Sequence, residues 1–405
     1  MWGKGERALR VSTRTTTKRT MPSDVNDEKT HREYDDDEEE DGRGGHVLFC
    51  GEEFPSGFES CKRHAMPFGL AIHTCPRDDV KRWIQRYDVA VPLMTRVDED
   101  VLEGDDKKEG GGKLKLVLQF GVGLEGVSIE ALTRRHVKVG RIRSDKTPNA
   151  QSTAEMGVFL TLAALKRANE CRTSVLRRTL GAPMGDSLFG AHVLFIGFGR
   201  VAKAQARMMK RGFGCKIFAL VRRKKGGEGK REEDNEEEEE EEDKGLLEDT
   251  FEGDISNVDF VGRFPSEGNN VVVVACTCTR ENRKMVNDHF IEQLKFGEKR
   301  VPGIVVNVAR GALVDERAMR MACDSGKVLY YATDVCFEEP VDVDGDLLGP
   351  DENGKRASNI FVTPHVGGVT VNSYEKMGKI IAEYAAKIVN EKKEIESDEC
   401  VSIVN

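Results

Sequence analysis

The sequence predicts an α/β protein built on parallel sheets, and three observations carry that prediction. Short β-branched and aromatic runs at 46–50, 88–93, 114–119, 271–276 and 303–308 alternate with helical stretches, the pattern of buried strands joined by crossover helices. One unit, 192–222, reads as strand, Gly-rich turn, helix, glycine break and second strand. Residues able to do chemistry also cluster just past predicted strand ends, where open α/β sheets collect ligands.

The chain has 405 residues, a length that suggests two to three domains. Its 38% hydrophobic content is supplemented by 41 glycines, which brings the apolar share close to that of ordinary globular chains. The longest apolar runs, such as 271–276, fall far short of the roughly 20 residues of a membrane span, so a membrane-spanning helix is excluded. The net charge of -9 is unevenly spread: eighteen of the 71 acids lie in 35–41, 232–234 and 236–243. Without them 53 acids face 62 bases, so the remaining chain carries +9. Runs of like charge repel and stay solvated, and both acidic stretches are expected to be disordered. No nucleic-acid partner is expected.

Ten cysteines are scattered with no CxxC pair and no secretory signal, which is usage typical of a reducing compartment. Cys276 and Cys278 lie in a strand-like segment with no His or Cys cluster beside them. They are expected to be buried small hydrophobes, and no metal site is expected. Residues 1–20 carry Lys4, Arg7, Arg10, Arg14, Lys18 and Arg19 with Glu6 as the single acid. Such a segment resembles an organelle transit peptide; a basic leader, or a start at Met21, is the alternative reading. The cytoplasm is the expected compartment, with a plastid or mitochondrion as the alternative.

The first folded element is expected at 46–50, after a Gly-rich stretch. A polar segment, 143–150, precedes a helix expected at 152–167 with apolar positions at Met156, Phe159, Leu160, Leu162 and Leu165, and a domain boundary is placed there. A helix at 378–389 is expected to close the fold.

Within 192–222, Gly197-Phe198-Gly199-Arg200-Val201-Ala202 matches GxGxxG/A directly after a strand and at the start of a helix. Gly197 permits the tight turn, Gly199 lets a pyrophosphate approach the backbone, and Ala202 keeps the helix close to the sheet. The helix N-terminus supplies free amides and the positive end of the dipole. The unit is therefore read as a dinucleotide-binding, Rossmann-type one. An acid at the end of its second strand would bond the ribose 2′-hydroxyl, but that position is Val221, followed by Arg222, Arg223, Lys224 and Lys225. Those bases suit a 2′-phosphate, so NADP is favoured, with NAD possible.

Further along, Asn307-Val308-Ala309-Arg310-Gly311 follows a predicted strand, then come Asp334-Val335-Cys336-Phe337-Glu338-Glu339-Pro340 and Thr363-Pro364-His365-Val366-Gly367-Gly368. Together with GFGRVA, these segments resemble the D-isomer-specific 2-hydroxyacid dehydrogenases, which include glyoxylate/hydroxypyruvate reductases, phosphoglycerate dehydrogenase and formate dehydrogenase. The resemblance covers about 46–404. It implies a substrate domain of smaller, flavodoxin-like α/β type, discontinuous over 46–148 and 368–405. The Rossmann domain would span 149–367 with an insert at 226–245, and 1–45 would be a disordered leader. It also implies a homodimer joined through the cofactor domains.

Reducing a small 2-oxo acid requires a cation for the carboxylate and carbonyl, a hydride donor and a proton donor. Arg310 suits the first role because its fork fixes two oxygens at once. A histidine suits the proton donor's role because imidazole titrates near neutrality and a carboxylate partner favours its charged form; His365 stands in the family's motif. Glu339, the acid preceding Pro340, is the partner that the resemblance implies, with Glu338 as competitor. The resemblance further assigns Gly121, Val122 and Gly123 to the substrate carboxylate. It assigns Arg200 and Val201 to the pyrophosphate, and Val308, Ala309, Arg310, Asp334, His365, Gly367 and Gly368 to the nicotinamide end, with Thr153 as a further contact. The insert 226–245 is a departure from the family. A cofactor-sensing corepressor of the same fold, which retains the same Arg, Glu and His, is the alternative function.

Overall fold

The computed structural model describes residues 46–103, 112–222, 243, 245–253, 270–294 and 303–405. The leader, the acidic run 35–41, Arg223 to Lys225 and all of the insert except Asp243 and Gly245 lie outside the described residues.

Two sheets organise the chain. The first comprises β1 (His46–Cys50), β2 (Ala71–Cys75), β3 (Val89–Pro92), β4 (Leu116–Gln119), β5 (Lys138–Ile142) and β13 (Val401–Ile403), in the order β13-β5-β4-β3-β1-β2. Its first five strands are parallel and run 2-1-3-4-5 across the sheet, the flavodoxin-like order, while β13 adds an antiparallel edge on β5. β1 and β3 are buried on both faces, as a parallel strand covered by helices must be. Helices Pro55–Ala65 and Val371–Val389 cover one face, with Phe49, Phe120, Tyr374 and Ile381 in the core between. These two helices pack closely: a Cβ on Gly378 would stand 2.2 Å from Ser60 Oγ, which donates to Tyr374 O at 2.9 Å.

The second sheet is wholly parallel: β6 (His192–Ile196), β7 (Lys216–Val221), β8 (Asp249–Glu252), β9 (Asn270–Val274), β10 (Ile304–Asn307), β11 (Tyr330–Thr333) and β12 (Ile360–Val362). Its order, β12-β11-β10-β9-β6-β7-β8, is the doubly wound arrangement with its switch point between β6 and β9. Helices Asn149–Leu165 and Arg200–Phe213 cover one face, and Asp288–Gln293 and Glu316–Asp324 the other. Gly157 admits Gln205 between the first two, since a Cβ there would lie 2.3 Å from its Oε1.

Element edges differ from the sequence expectation in physically explicable ways. The helix expected at 152–167 starts at Asn149, directly after Pro148. The closing helix starts at Val371, because Thr370 caps it by accepting from Ser373 N. Phe159, one of the apolar positions of the Asn149–Leu165 helix, is 49% exposed and rests edge-on against Phe361 of the outer strand β12. Cys276 and Cys278 are only partly buried, because β9 ends at Val274 and both lie in the loop beyond it. No helix among the described residues is long and apolar enough to cross a membrane.

Candidate active site

The C-terminal ends of β10 and β11 set the site. At the end of β10, buried Asn307 accepts from Ala309 N at 3.0 Å and donates to Arg310 O at 3.0 Å, fixing the turn that launches Arg310. Gly311 is required next, because a Cβ there would fall 1.9 Å from the Cys336 carbonyl carbon. The guanidinium of Arg310 donates through Nη1 to Ala309 O at 2.7 Å and through Nη2 towards Glu125 of the first sheet's β4 loop, 3.2 Å from its Oε1.

Beyond β11, buried Asp334 holds the segment that carries His365. Its carboxylate accepts from Thr363 Oγ1 at 2.6 Å, Val366 N at 3.0 Å and Gly367 N at 2.7 Å, and its carbonyl accepts from His365 N at 2.8 Å. His365 sits at φ 55, a conformation costly for a residue with a Cβ, and these bonds enforce it. The His365 ring pairs with Glu339, Nδ1 to Oε2 at 2.7 Å, with the side chains 28% and 27% exposed. Glu339 Oε1 accepts from Cys336 N at 3.0 Å. Burial raises the Glu339 carboxyl, but the hydrogen bond and charge of His365, the Cys336 amide and the charge of Arg310 together hold it below the usual carboxylate range. Glu338 is exposed, so the geometry favours Glu339 of the two candidates. Burial pushes the neighbouring Cys336 thiol up to about 12, with Glu316, Glu339 and Asp334 adding to the shift, so that thiol stays protonated.

The Gly-rich turn after β6 fits a dinucleotide. Gly197 has φ 85, and a Cβ there would stand 2.5 Å from Cys276 Cβ. Gly199 caps the Arg200–Phe213 helix without a side-chain bond, a Cβ on it would meet nothing within 4 Å, and no acid stands in the first turn. The turn thus offers open backbone and free amides to an anion. Val201 follows Arg200 in that first turn, and Ala202 is fully buried against the sheet. Val221 ends β7 beside Glu252 of β8, and Arg222 follows it. A hydrogen bond from Thr279, and then the charges of Arg222 and Arg280, lower the Glu281 carboxyl, which places an acid near Arg222 that sequence reasoning had not named. Arg223 lies outside the described residues.

The structure therefore brings Arg310, Asp334, Glu339, His365 and Gly367 together, and sets Gly123 against Arg310, where a Cβ would lie 2.6 Å from Nη2. Gly121 has φ 140 and Val122 links the two glycines. Val308 and Ala309 are buried at the base of the Arg310 turn, and Gly368 abuts Asn149. The Thr153 hydroxyl donates to Asn149 O at 2.9 Å. Glu125, two residues past the glycine pair, was missed; its position in Gly121-Val122-Gly123-Leu124-Glu125 was the available signal. A polar cavity of about 140 Å³ lies between 144–151 and the Arg200–Phe213 helix, lined by Asp145, Arg200, Lys203 and Arg207 among others. It is smaller than the sites that hold drug-sized ligands, and His365 does not line it.

Residues 158–251 and 266–367 match the profile of the D-isomer specific 2-hydroxyacid dehydrogenase, NAD binding domain. A glyoxylate reductase of Thermococcus kodakarensis is 27% identical over 343 residues, covering 81% of this chain and 88% of that protein. The chloroplastic D-3-phosphoglycerate dehydrogenase 2 of Arabidopsis thaliana is 27% identical over 312 residues, covering 76% of this chain. The match spans only 43% of that plant relative's length. Among solved structures, D-lactate dehydrogenase of Escherichia coli superposes with a TM-score of 0.62 at 18% identity, covering 86% of this chain and 98% of that one, a likeness of fold. With the doubly wound sheet, its glycine turn and the profile match over both, the chain belongs to the D-isomer-specific 2-hydroxyacid dehydrogenase family.

Proposed function

We propose that the protein reduces a small 2-oxo acid such as glyoxylate or hydroxypyruvate to the 2-hydroxy acid. Arg310, Glu339 and His365 are its working residues. The observation that carries this reading is the 2.7 Å His365–Glu339 pair on the same rim as Arg310, which faces the 121–125 loop. When bound, the nicotinamide cofactor supplies the hydride.

The chain's own residues do the rest. The fork of Arg310 binds the substrate carboxylate and polarises the carbonyl, and the backbone at 121–123 completes the anion's cradle. Glu339 takes Nδ1 of His365, which orients the ring and leaves Nε2 to give a proton to the nascent alkoxide. Asp334 fixes the loop on which this pair depends. Gly197, Gly199, Arg200 and Val201 would hold the pyrophosphate, and Val308, Ala309, Gly367 and Gly368 the nicotinamide end. NADPH is preferred because Val221 offers no acid to a ribose and Arg222, with Arg223, offers charge to a 2′-phosphate. The named glyoxylate reductase relative supports the choice of substrate.

Two further parts of the reading concern assembly and setting. The exposed apolar side chains Val175, Leu176, Leu180, Met184 and Phe189 follow one another along 175–189, and a surface of that kind supports a homodimer. The ten free cysteines support a reducing compartment such as the cytoplasm.

The test is nicotinamide absorbance with NADPH and with NADH across a panel of 2-oxo acids. Oxidation with glyoxylate or hydroxypyruvate, at a lower KM for NADPH, is expected. A flat trace with every acid despite cofactor binding would overturn the enzyme reading and favour the corepressor-like alternative.

A further inference from the structure

We infer that Glu125 is a specificity-determining residue: it occupies Arg310 in the free protein and selects against substrates that carry a second carboxylate. The inference rests on the proposed role of Arg310 and deepens it by naming the substrate class. Glu125 stands at the end of the β4 loop, and both its oxygens face Arg310 Nη2, at 3.2 and 3.3 Å. The other terminal nitrogen, Nη1, is turned to Ala309 O at 2.7 Å. In this conformation a carboxylate of the chain itself therefore sits where a 2-oxo acid would dock. Among the described residues Arg310 is its ion-pair partner.

The contact is local to the site. Gly123, whose backbone is expected to receive the substrate carboxylate, has its Cβ direction 2.4 Å from Glu125 Oε2 and 2.6 Å from Arg310 Nη2. Gly123, Glu125 and Arg310 thus converge on one volume. The pair is 42% and 40% exposed, so it is weak enough to exchange. A substrate monocarboxylate takes over the fork with its planar pair of oxygens, and Glu125 swings aside without leaving the loop.

Two consequences follow. The internal pair competes with substrate, so removing the charge strengthens binding by the factor by which the occupied state was favoured. For an exposed pair that factor is about two- to fivefold. The displaced carboxylate also remains beside the bound substrate. It repels a second carboxylate on the substrate's side chain and accepts a hydrogen bond from a hydroxyl there. The favoured class is therefore short 2-oxo monocarboxylates with a neutral or hydroxylated C3; 2-oxo diacids are disfavoured.

The experiment measures, by titration calorimetry on the NADPH-loaded protein, the affinity of two unreactive carboxylates, oxamate and the dianionic N-oxalylglycine. Wild type is compared with Glu125→Gln and Glu125→Asp. Glu125→Gln is expected to bind oxamate about two- to fivefold tighter and N-oxalylglycine about tenfold tighter, with Glu125→Asp nearer to wild type. Equal or weaker binding of both ligands to Glu125→Gln overturns the inference, as does an equal gain for both, which removes the charge selection. Absence of oxamate binding in every variant also overturns it. Turnover of glyoxylate separates this from the reading beneath it. Wild-type turnover with no gain in Glu125→Gln defeats the inference alone, whereas a gain in a protein that turns over no 2-oxo acid defeats the reductase and leaves the inference standing.

Discussion

His365 is held by more bonds than a loop histidine needs. Its amide is tied to the Asp334 carbonyl, the two amides after it are tied to the Asp334 carboxylate, and its ring is tied to Glu339. This redundancy is what a positive φ demands. Replacing Asp334 with Asn swaps an acceptor-only group for one whose NH2 must face a backbone N–H donor in either orientation, because the Val366 and Gly367 amides use different oxygens. Asp334→Asn is expected to lower kcat/KM by about tenfold or more, read by steady-state kinetics with the same 2-oxo acid. Glu339 is testable by pH. Its folded pKa lies below the ordinary value, so its contribution is complete above the usual carboxylate range, near pH 4, and is lost as pH falls through the depressed folded value. In Glu339→Gln the ring loses the carboxylate that orients it, so kcat for reduction is expected to fall by about tenfold or more. A variant with wild-type kcat would show that the 2.7 Å pair does not govern proton delivery.

At this scale the sequence was informative wherever a motif encodes local geometry. GFGRVA announces its turn, because only glycine tolerates φ 85 with Cys276 so close. Arg310, Glu339 and His365 stood in recognisable segments. Glu125 lies two residues past the recognised glycine pair, yet nothing local marks its role, because its pairing with Arg310 spans 185 positions and exists only once two sheets face each other. Phe159 likewise followed a helical period whose outward side is visible only after the helix has docked.

The helix Arg200–Phe213 and its turn separate folding from binding. Gly199→Ala meets open space and an ordinary φ of -85; stability should therefore hold while cofactor affinity falls, since the added methyl fills the backbone approach. Thermal unfolding set beside fluorescence titration with NADPH checks this, and an unchanged affinity would contradict the assignment of the turn. The edge strand β13 depends on Asp398. Burial raises this carboxyl, but Lys387 at 2.9 Å and the Cys400 and Val401 amides at 2.8 Å bring it below the ordinary range. Asp398→Asn is expected to cost about 1–2 kcal/mol at neutral pH. The sign follows from the depressed pKa: the difference from wild type is full above the unfolded aspartate value and closes as pH falls through the folded one. Denaturant unfolding at pH 7 and pH 3 measures both. The alternation of apolar runs was enough to foresee parallel sheets, but the antiparallel β13, three residues long, was too short to stand out.

Across the whole molecule, charge and exposed apolar surface carry the argument. The -9 of the chain combines 18 acids concentrated in 35–41 and 232–243 with a remainder of opposite sign, so the total says little about the site; Asp243, the one described acid among them, is not a solvated one but pairs with Lys203 and Arg207 at 2.7 Å. Arg222 nevertheless lies near Glu281 and follows the Val221–Glu252 strand end, which makes cofactor preference a balance of local charges. The apolar side chains along 175–189 are the expected seam of the homodimer proposed above. Leu180→Glu with Met184→Glu is expected to yield monomers in sedimentation velocity, while an unchanged dimer would move the seam elsewhere.

The central claim is that His365, oriented by Glu339, delivers the proton to a 2-oxo acid held on Arg310. Parallel kinetics of wild type and His365→Gln with hydroxypyruvate and NADPH test it most directly, with oxamate binding as a check that the Arg310 site is intact. The account predicts steady NADPH oxidation by wild type and a kcat lower by about 10²- to 10⁴-fold in the variant, with oxamate still bound. A variant as fast as wild type, or a wild type that binds NADPH and oxamate yet turns over nothing, would contradict it.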